Sequence, residues 1–228
     1  HAHSLRSMFS LATVAFLVLL STSGHASMCP DNNGMSDEVR NTFLKKHNAY
    51  RTLVAKGQAQ NGIGGNAPKA ARMLKMTYDC AIEENTMNFA KKCVFAHNSY
   101  ADRNYWGQNL LCHLCSNRIR QSSNRGEKIH LLQQQLKQHG VPDDNVMTME
   151  VFNRGVGHYT QVVWQWSNKI GCAVEWCSDM TLAACEYDSA GNYLGQPIYE
   201  IGDPCTKNED CKCAQCTCSS EEALCIAP

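Results

Sequence analysis

Nine histidines are the chain's main stock of groups that could ligate a metal or move a proton near neutral pH. His158 is the most suggestive. It lies in GVGHYTQVVWQWSNKIGCAVEWC, Gly155 to Cys177, just ahead of a β-branched and aromatic run. Glycines at 155 and 157 free the backbone to turn tightly, so the pattern predicts an imidazole presented into a cleft at the entry of a strand from Tyr159 to Trp166. The plainer reading of the same residues is a ring hydrogen-bonded near a sheet edge.

Other catalytic signatures are missing from the sequence. It contains no H-E-x-x-H, no G-x-S-x-G and no glycine-rich phosphate loop. Among 21 carboxylates no spacing singles out a pair for glycoside chemistry. The 14 cysteines fall into two even groups, so none is left over as a papain-like nucleophile. The first group is Cys29, Cys80, Cys93, Cys112, Cys115, Cys172, Cys177 and Cys185, and the second is Cys205, Cys211, Cys213, Cys216, Cys218 and Cys225. That parity predicts four bridges in a main domain and three in a tail, with the pairing left open by sequence alone.

Oxidised cysteines call for an export signal, and the N-terminus offers one. FSLATVAFLVLL, Phe9 to Leu20, is too short to span a bilayer, and Gly24-His25-Ala26 supplies small residues for a peptidase. Residues 1–26 therefore read as a signal peptide, with Met8 a candidate start and residues 1–7 upstream or appended sequence. No later run approaches the roughly 20 apolar residues of a membrane span, so an integral membrane protein is not expected. With 21 basic and 21 acidic side chains the net charge is zero, which gives no electrostatic case for a nucleic-acid partner. No N-x-[ST] acceptor for N-glycosylation occurs.

The elements that must position His158 follow from periodicity. Ser36-Asp37-Glu38 caps a run in which Val39, Phe43, His47, Tyr50 and Val54 recur at helical steps, predicting a helix to about Lys56. Gly57 to Pro68 reads as a loop. Further helices are predicted over Asp79 to Cys93 and Glu127 to His139. Strands follow at Tyr159 to Trp166, Gly171 to Trp176, Thr181 to Tyr187 and Gln196 to Ile201. Helices first and strands later predict an α+β class with a mainly antiparallel sheet over residues 27–200. Residues 201–228 form a disulfide-rich C-terminal tail with six cysteines and almost no large apolar side chains, which cross-links must order. Its C-x-C and C-x-x-C spacings could alternatively hold zinc, but an oxidising compartment favours bridges.

Several of these segments resemble one family. GHYTQVVW, GCAVEWC and CEYDSAGNY, preceded in order by FLKKHNAYR, MLKMTYDC, FAHNSY and WGQNL, are similar to the signature segments of the CAP superfamily of cysteine-rich secretory, antigen-five and pathogenesis-related proteins. The opening helix and cysteine tail look most like the venom-allergen-like, activation-associated secreted proteins of parasitic nematodes. The resemblance implies a three-layer α-β-α sandwich with a central antiparallel sheet, and it favours a bridge between Cys172 and Cys185. It also implies a cleft of two histidines and two acids that takes a divalent cation such as zinc. The histidines carry over to His97 and His158. At the acid positions this chain has Gln108 and, aligning Leu132 with the family's aromatic, Gln135, with Gln134 the alternative register. Amides bring no charge and ligate first-row metals poorly, so the expected site is a hydrogen-bonded tetrad with at most weak zinc binding at His97 and His158. Glu186 departs from the family's polar residue after the cysteine, which leaves its local pairing open. The resemblance further implies a secreted, non-enzymatic protein that binds a sterol or fatty acid or engages a host protein or receptor. Tyr100, Tyr105 and Trp106 are the lipid-contact candidates. A metal-dependent hydrolase is the rival reading, and a tail acting as a channel or receptor ligand is a third.

Overall fold

The computed structural model describes residues 27–30, 34–113 and 130–228. The expected signal segment, Cys115 and the first residues of the helix expected from Glu127 lie outside them.

Helix α1 spans Asp37–Ala55, and Ser36 Oγ accepts from the Val39 amide as its cap. Its inward face is rotated from the purely apolar stripe: Arg40, His47, Tyr50, Arg51 and Val54 are buried while Val39 is exposed. The rotation is tolerated because the buried cations find partners. Arg40 donates from Nε and Nη2 to the Glu83 carboxylate, both at 2.7 Å, and Tyr78 Oη donates to the same carboxylate at 2.6 Å. Arg51 donates to the carbonyls of Leu74, Val162, Trp164 and Gln165 at 2.6–2.9 Å.

After the short strand β1 (Thr77–Tyr78), Asp79 caps α2 (Cys80–Ala90) by accepting from the Ala81 and Ile82 amides. Strands β2 (Gly107–His113), β3 (Lys169–Trp176) and β4 (Thr181–Asp188) complete a four-stranded sheet in the order β1-β3-β4-β2. Only the β1/β3 pair is parallel. Side-chain alternation assigns its two faces. Ala173, Leu182, Ala184 and Leu110 pack with Met87 and Phe89 of α2, whereas Ile170, Cys185 and Tyr187 pack with Val54, Val162 and Trp164. The second face is covered by α1 and by α5 (Gly157–Val162), against which α3 (His130–His139) packs. The architecture is thus a three-layer α-β-α sandwich.

Two strand expectations are corrected. Tyr159 to Trp166 is not a strand: α5 occupies Gly157–Val162, and Tyr159 to Val163 are buried throughout. A segment buried on every side has no amphipathic period, so its β-branched residues pointed the wrong way. The short helix α4 (Met149–Val151) precedes it through a wide turn, Phe152–Val156, where Gly155 takes φ +83° and breaks the helical run. Gln196 to Ile201 makes only single bridges, Val146 to Pro197 and Ala70 to Ile201. Pro197 has no N–H with which to extend a ladder.

Disulfides join Cys29–Cys80, Cys93–Cys177 and Cys172–Cys185 in the sandwich and Cys205–Cys218, Cys211–Cys225 and Cys213–Cys216 in the tail. Cys112 is also disulfide-bonded. Cys172 and Cys185 are direct cross-strand partners of β3 and β4. The tail adds a two-stranded ribbon, β5 (Thr217–Ser219) with β6 (Leu224–Ile226), docked on the sandwich where the Cys225 amide donates to Met73 O at 2.8 Å.

Candidate functional site

Strand β2 is an edge of the sheet, so groups from both helical layers can approach each other around it. From one side comes His97, on the segment after α2 that Cys93–Cys177 ties down. Arg103, nearly buried in a single helical turn (Ala101–Arg103), stitches that segment together. Its guanidinium donates to Trp106 O at 2.8 Å and to both the backbone and side-chain oxygens of Asn98.

His97 Nδ1 lies 2.7 Å from Gln108 Oε1. Gln108 Nε2 donates to Asn98 Oδ1 and to Glu186 Oε1, each at 3.0 Å. Two acceptors around one end of the amide fix which end is nitrogen. The oxygen must then face His97, and neutral His97 carries its proton on Nδ1.

His158 stands on α5 rather than at a strand entry. Gln135 of α3 accepts from the Tyr159 amide through Oε1 at 2.9 Å and donates through Nε2 to His158 Nδ1 at 3.0 Å. The same reasoning places the proton of neutral His158 on Nε2. Gln134 is exposed and takes no part. Burial, and secondarily the charge of His97, push the His158 imidazolium below the ordinary histidine range. Gln108 thus holds the His97 ring, and Gln135 the His158 ring, in opposite tautomers.

Glu186 sits behind Gln108, as its register partner on β4. It is fully buried and accepts from Gln108 Nε2 and from Thr86 Oγ1. Burial pushes its carboxyl up to about 7, against hydrogen bonds from Gln108 and Thr86 and the charge of Arg103. The sequence marks this residue only as a departure; its role depends on cross-strand register that no local pattern reveals. A polar chain on the opposite face was also missed. Asn109 Nδ2 donates to His158 O at 3.0 Å and to Tyr187 Oη at 3.2 Å, and Tyr187 Oη lies 3.0 Å from His47 Nε2. The Gly107 position is required bare: a β-carbon there would lie 2.1 Å from Gln161 Oε1.

Of the three aromatic candidates, Tyr100 and Tyr105 are 52% and 70% exposed, with the Arg103 guanidinium 4.2 Å from the Tyr100 ring centroid. Trp106 is half-buried.

A disulfide-stapled α-β-α sandwich defines a class of cysteine-rich modules, and known proteins share that fold. The chain belongs to the CAP, or cysteine-rich secretory protein, family, whose model matches residues 44–187. It is 42% identical over 206 residues to the Ancylostoma secreted protein of Ancylostoma caninum, covering 88% of this chain and 47% of that one. The chain thus spans about half of that relative. It is 31% identical to venom allergen 3 of Solenopsis invicta, covering 79% and 80% of the two chains. Among solved structures it is similar to NaASP2 with Zn2+, at 44% identity and a TM-score of 0.74 over 86% of this chain and 99% of that one. Its bridges fit the extracellular setting of venom and salivary relatives. No helix of the described residues is long and apolar enough to cross a membrane.

The zinc in that relative's structure prompts a test of fit. Here the His158 Nδ1 lone pair already accepts from Gln135, and its Nε2 carries a proton. Gln108 offers no charge, and Glu186 is turned toward Gln108 and Thr86. This donor set does not suit a dication. Among the described residues, the one grouping of three or more His, Cys, Asp or Glu ligand atoms within 4.8 Å is Cys205, Cys211 and Cys218, whose sulfurs are consumed in bridges.

Proposed function

We propose that the chain is a secreted, non-enzymatic binding protein whose cleft recognises a neutral polar group and whose neighbouring aromatic loop holds apolar surface, as a sterol or other hydroxyl-bearing lipid would offer. The observation that carries this reading is the pair of amide-locked tautomers. Neutral His97 keeps the lone pair of Nε2 and neutral His158 keeps a proton there, so together they offer one acceptor and one donor. A hydroxyl group both donates and accepts, and matches that pair without ionisation. A fatty-acid carboxylate only accepts, and would meet the His97 lone pair. Tyr100 and Tyr105, exposed three and eight residues after His97, supply flat apolar faces of the kind that contact ring systems. Among the described residues the ring partners are glutamine amides and not a hydroxyl or thiol, which weighs against the hydrolase alternative. Engagement of a host protein through the same exposed loop is compatible with this chemistry.

The test is saturation binding of radiolabelled cholesterol to the purified protein. Saturable binding that weakens in Tyr105→Ala and in His158→Ala supports the reading, and binding that does not saturate overturns it.

A further inference from the structure

The C-terminal knot contains a cysteine pair that the cleft does not use. Cys213 and Cys216 are bridged across a sequence separation of 3, whereas the knot's other two bridges span 13 and 14. A bridge closing so short a loop constrains the unfolded chain least, and so is the least protected by the stability of the fold. Exposure separates the pair further. Cys205, Cys211 and Cys225 are 2%, 3% and 0% exposed, but Cys213 stands in solvent with Cys216 buried behind it. The backbone around them is held in an unfavourable conformation: Lys212 and Gln215 take φ values of +52° and +62°, in the left-handed region that side chains with a β-carbon avoid. Opening the bridge would let Gln215, inside the loop, relax. Finally, Lys212 adjoins Cys213 and supplies a cation of the kind that stabilises a neighbouring thiolate.

We propose that Cys213–Cys216 is a thiol–disulfide exchange site that oxidises exposed thiols or dithiols, with the knot's other two bridges as its rigid frame. In the first step an external thiolate attacks Cys213 Sγ. A new sulfur–sulfur bond forms, the Cys213–Cys216 bond breaks, and its electron pair goes to Cys216 Sγ, which takes a proton from water. A second external thiolate then attacks the external sulfur of the mixed disulfide, and Cys213 leaves as a thiolate. Two external thiols are oxidised to one disulfide, and the protein's bridge is reduced to two thiols. The attack is directional because only Cys213 is open to an incoming sulfur.

The experiment uses the full folded chain in glutathione buffers of increasing reducing strength, with free thiols trapped by alkylation and located by peptide mass spectrometry. Cys213 and Cys216 are expected to label at a reduced-glutathione concentration at least about tenfold below that opening the knot's other two bridges, with the far-ultraviolet circular dichroism unchanged. The oxidised protein should also oxidise a fluorescent dithiol peptide, and a Cys213→Ser, Cys216→Ser double variant, folded by the same dichroism, should not. The proposal is overturned if Cys213–Cys216 opens together with Cys205–Cys218 and Cys211–Cys225, or if the double variant oxidises the peptide as fast as the wild type.

Discussion

Replacing Glu186 by glutamine should change the pH dependence of stability in a way that isolates the carboxylate behind Gln108. In the folded protein, burial pushes this carboxyl from its ordinary 4.5 up to about 7. Across that interval the folded state holds a proton that the unfolded chain has released. The group's contribution is therefore fully present below pH 4.5 and is lost as pH rises through 7. At ~1.4 kcal/mol per pH unit the loss is about 3 kcal/mol by pH 8. The buried His47 works in the opposite sense. Burial, reinforced by Arg51 and opposed by the Phe43 carbonyl, pushes it from 6.5 down to about 4, so its contribution is present above pH 6.5 and lost as pH falls toward 4, again by about 3 kcal/mol. Between these limits the two slopes nearly cancel, and the wild type should show a flat profile. The new amide is close to isosteric. It keeps an acceptor for Gln108 Nε2 and can donate to Thr86 Oγ1, whose own hydroxyl retains Ile82 O and Gly171 O as acceptors. The assay is urea unfolding followed by circular dichroism from pH 4.5 to 8 with disulfides intact. The variant should gain about 3 kcal/mol relative to wild type across that range, its own profile rising with pH. A difference between the two proteins that stays constant with pH would refute the reasoning.

Other expectations follow from the same geometry. Arg51→Met leaves four carbonyl acceptors without their donor, and should lower the unfolding free energy by at least about 3 kcal/mol; a loss below about 1 kcal/mol in urea titration would contradict the clamp. Calorimetric titration of the wild type with zinc should give no saturable heat below about 0.1 mM, equivalent to less than about 5.5 kcal/mol of binding. Exchanging the two positions, Gln108→Glu with Glu186→Gln, brings a carboxylate against His97 without adding charge, and should tighten zinc binding at least about tenfold in the same titration.

Much of the sandwich is legible from local pattern, and the site less so. The strands at Lys169–Trp176 and Thr181–Asp188 are covered on both faces and are legible as short runs bounded by turn signals, whereas the helix at Asp37–Ala55 turns one face to the core and carries the period that shows it. The segment from Tyr159 to Val163 is buried all round and carries none; it is helical because tertiary contacts decide, with Arg51 holding the carbonyls at its end. Arg40 and Arg51 belong to the inward face of α1 although their types place them outside, because Glu83 and the four carbonyls that receive them lie distant in sequence. Both glutamines of the cleft are readable only through resemblance, since neither spacing nor residue type marks an amide as a histidine's partner.

What sequence patterns conceal most completely is the location of the charge. Gln108 and Glu186 are register partners on neighbouring strands, with side chains on the same face and 3.0 Å between nitrogen and oxygen. An acid at position 108 would face His97 directly and compensate a bound cation. With the acid at 186 and the amide at 108, the carboxylate is retained within the same hydrogen-bonded chain but one side chain removed from the ring. From there it holds the amide, and through the amide the His97 tautomer, without facing the ring itself. On the function proposed above, the distinction between a cation site and a neutral polar site turns on which of two facing strands carries the carboxylate, with the protein's net charge unchanged. Electrostatic reasoning from composition is blind to that choice, whereas the pairing register of β2 with β4 decides it.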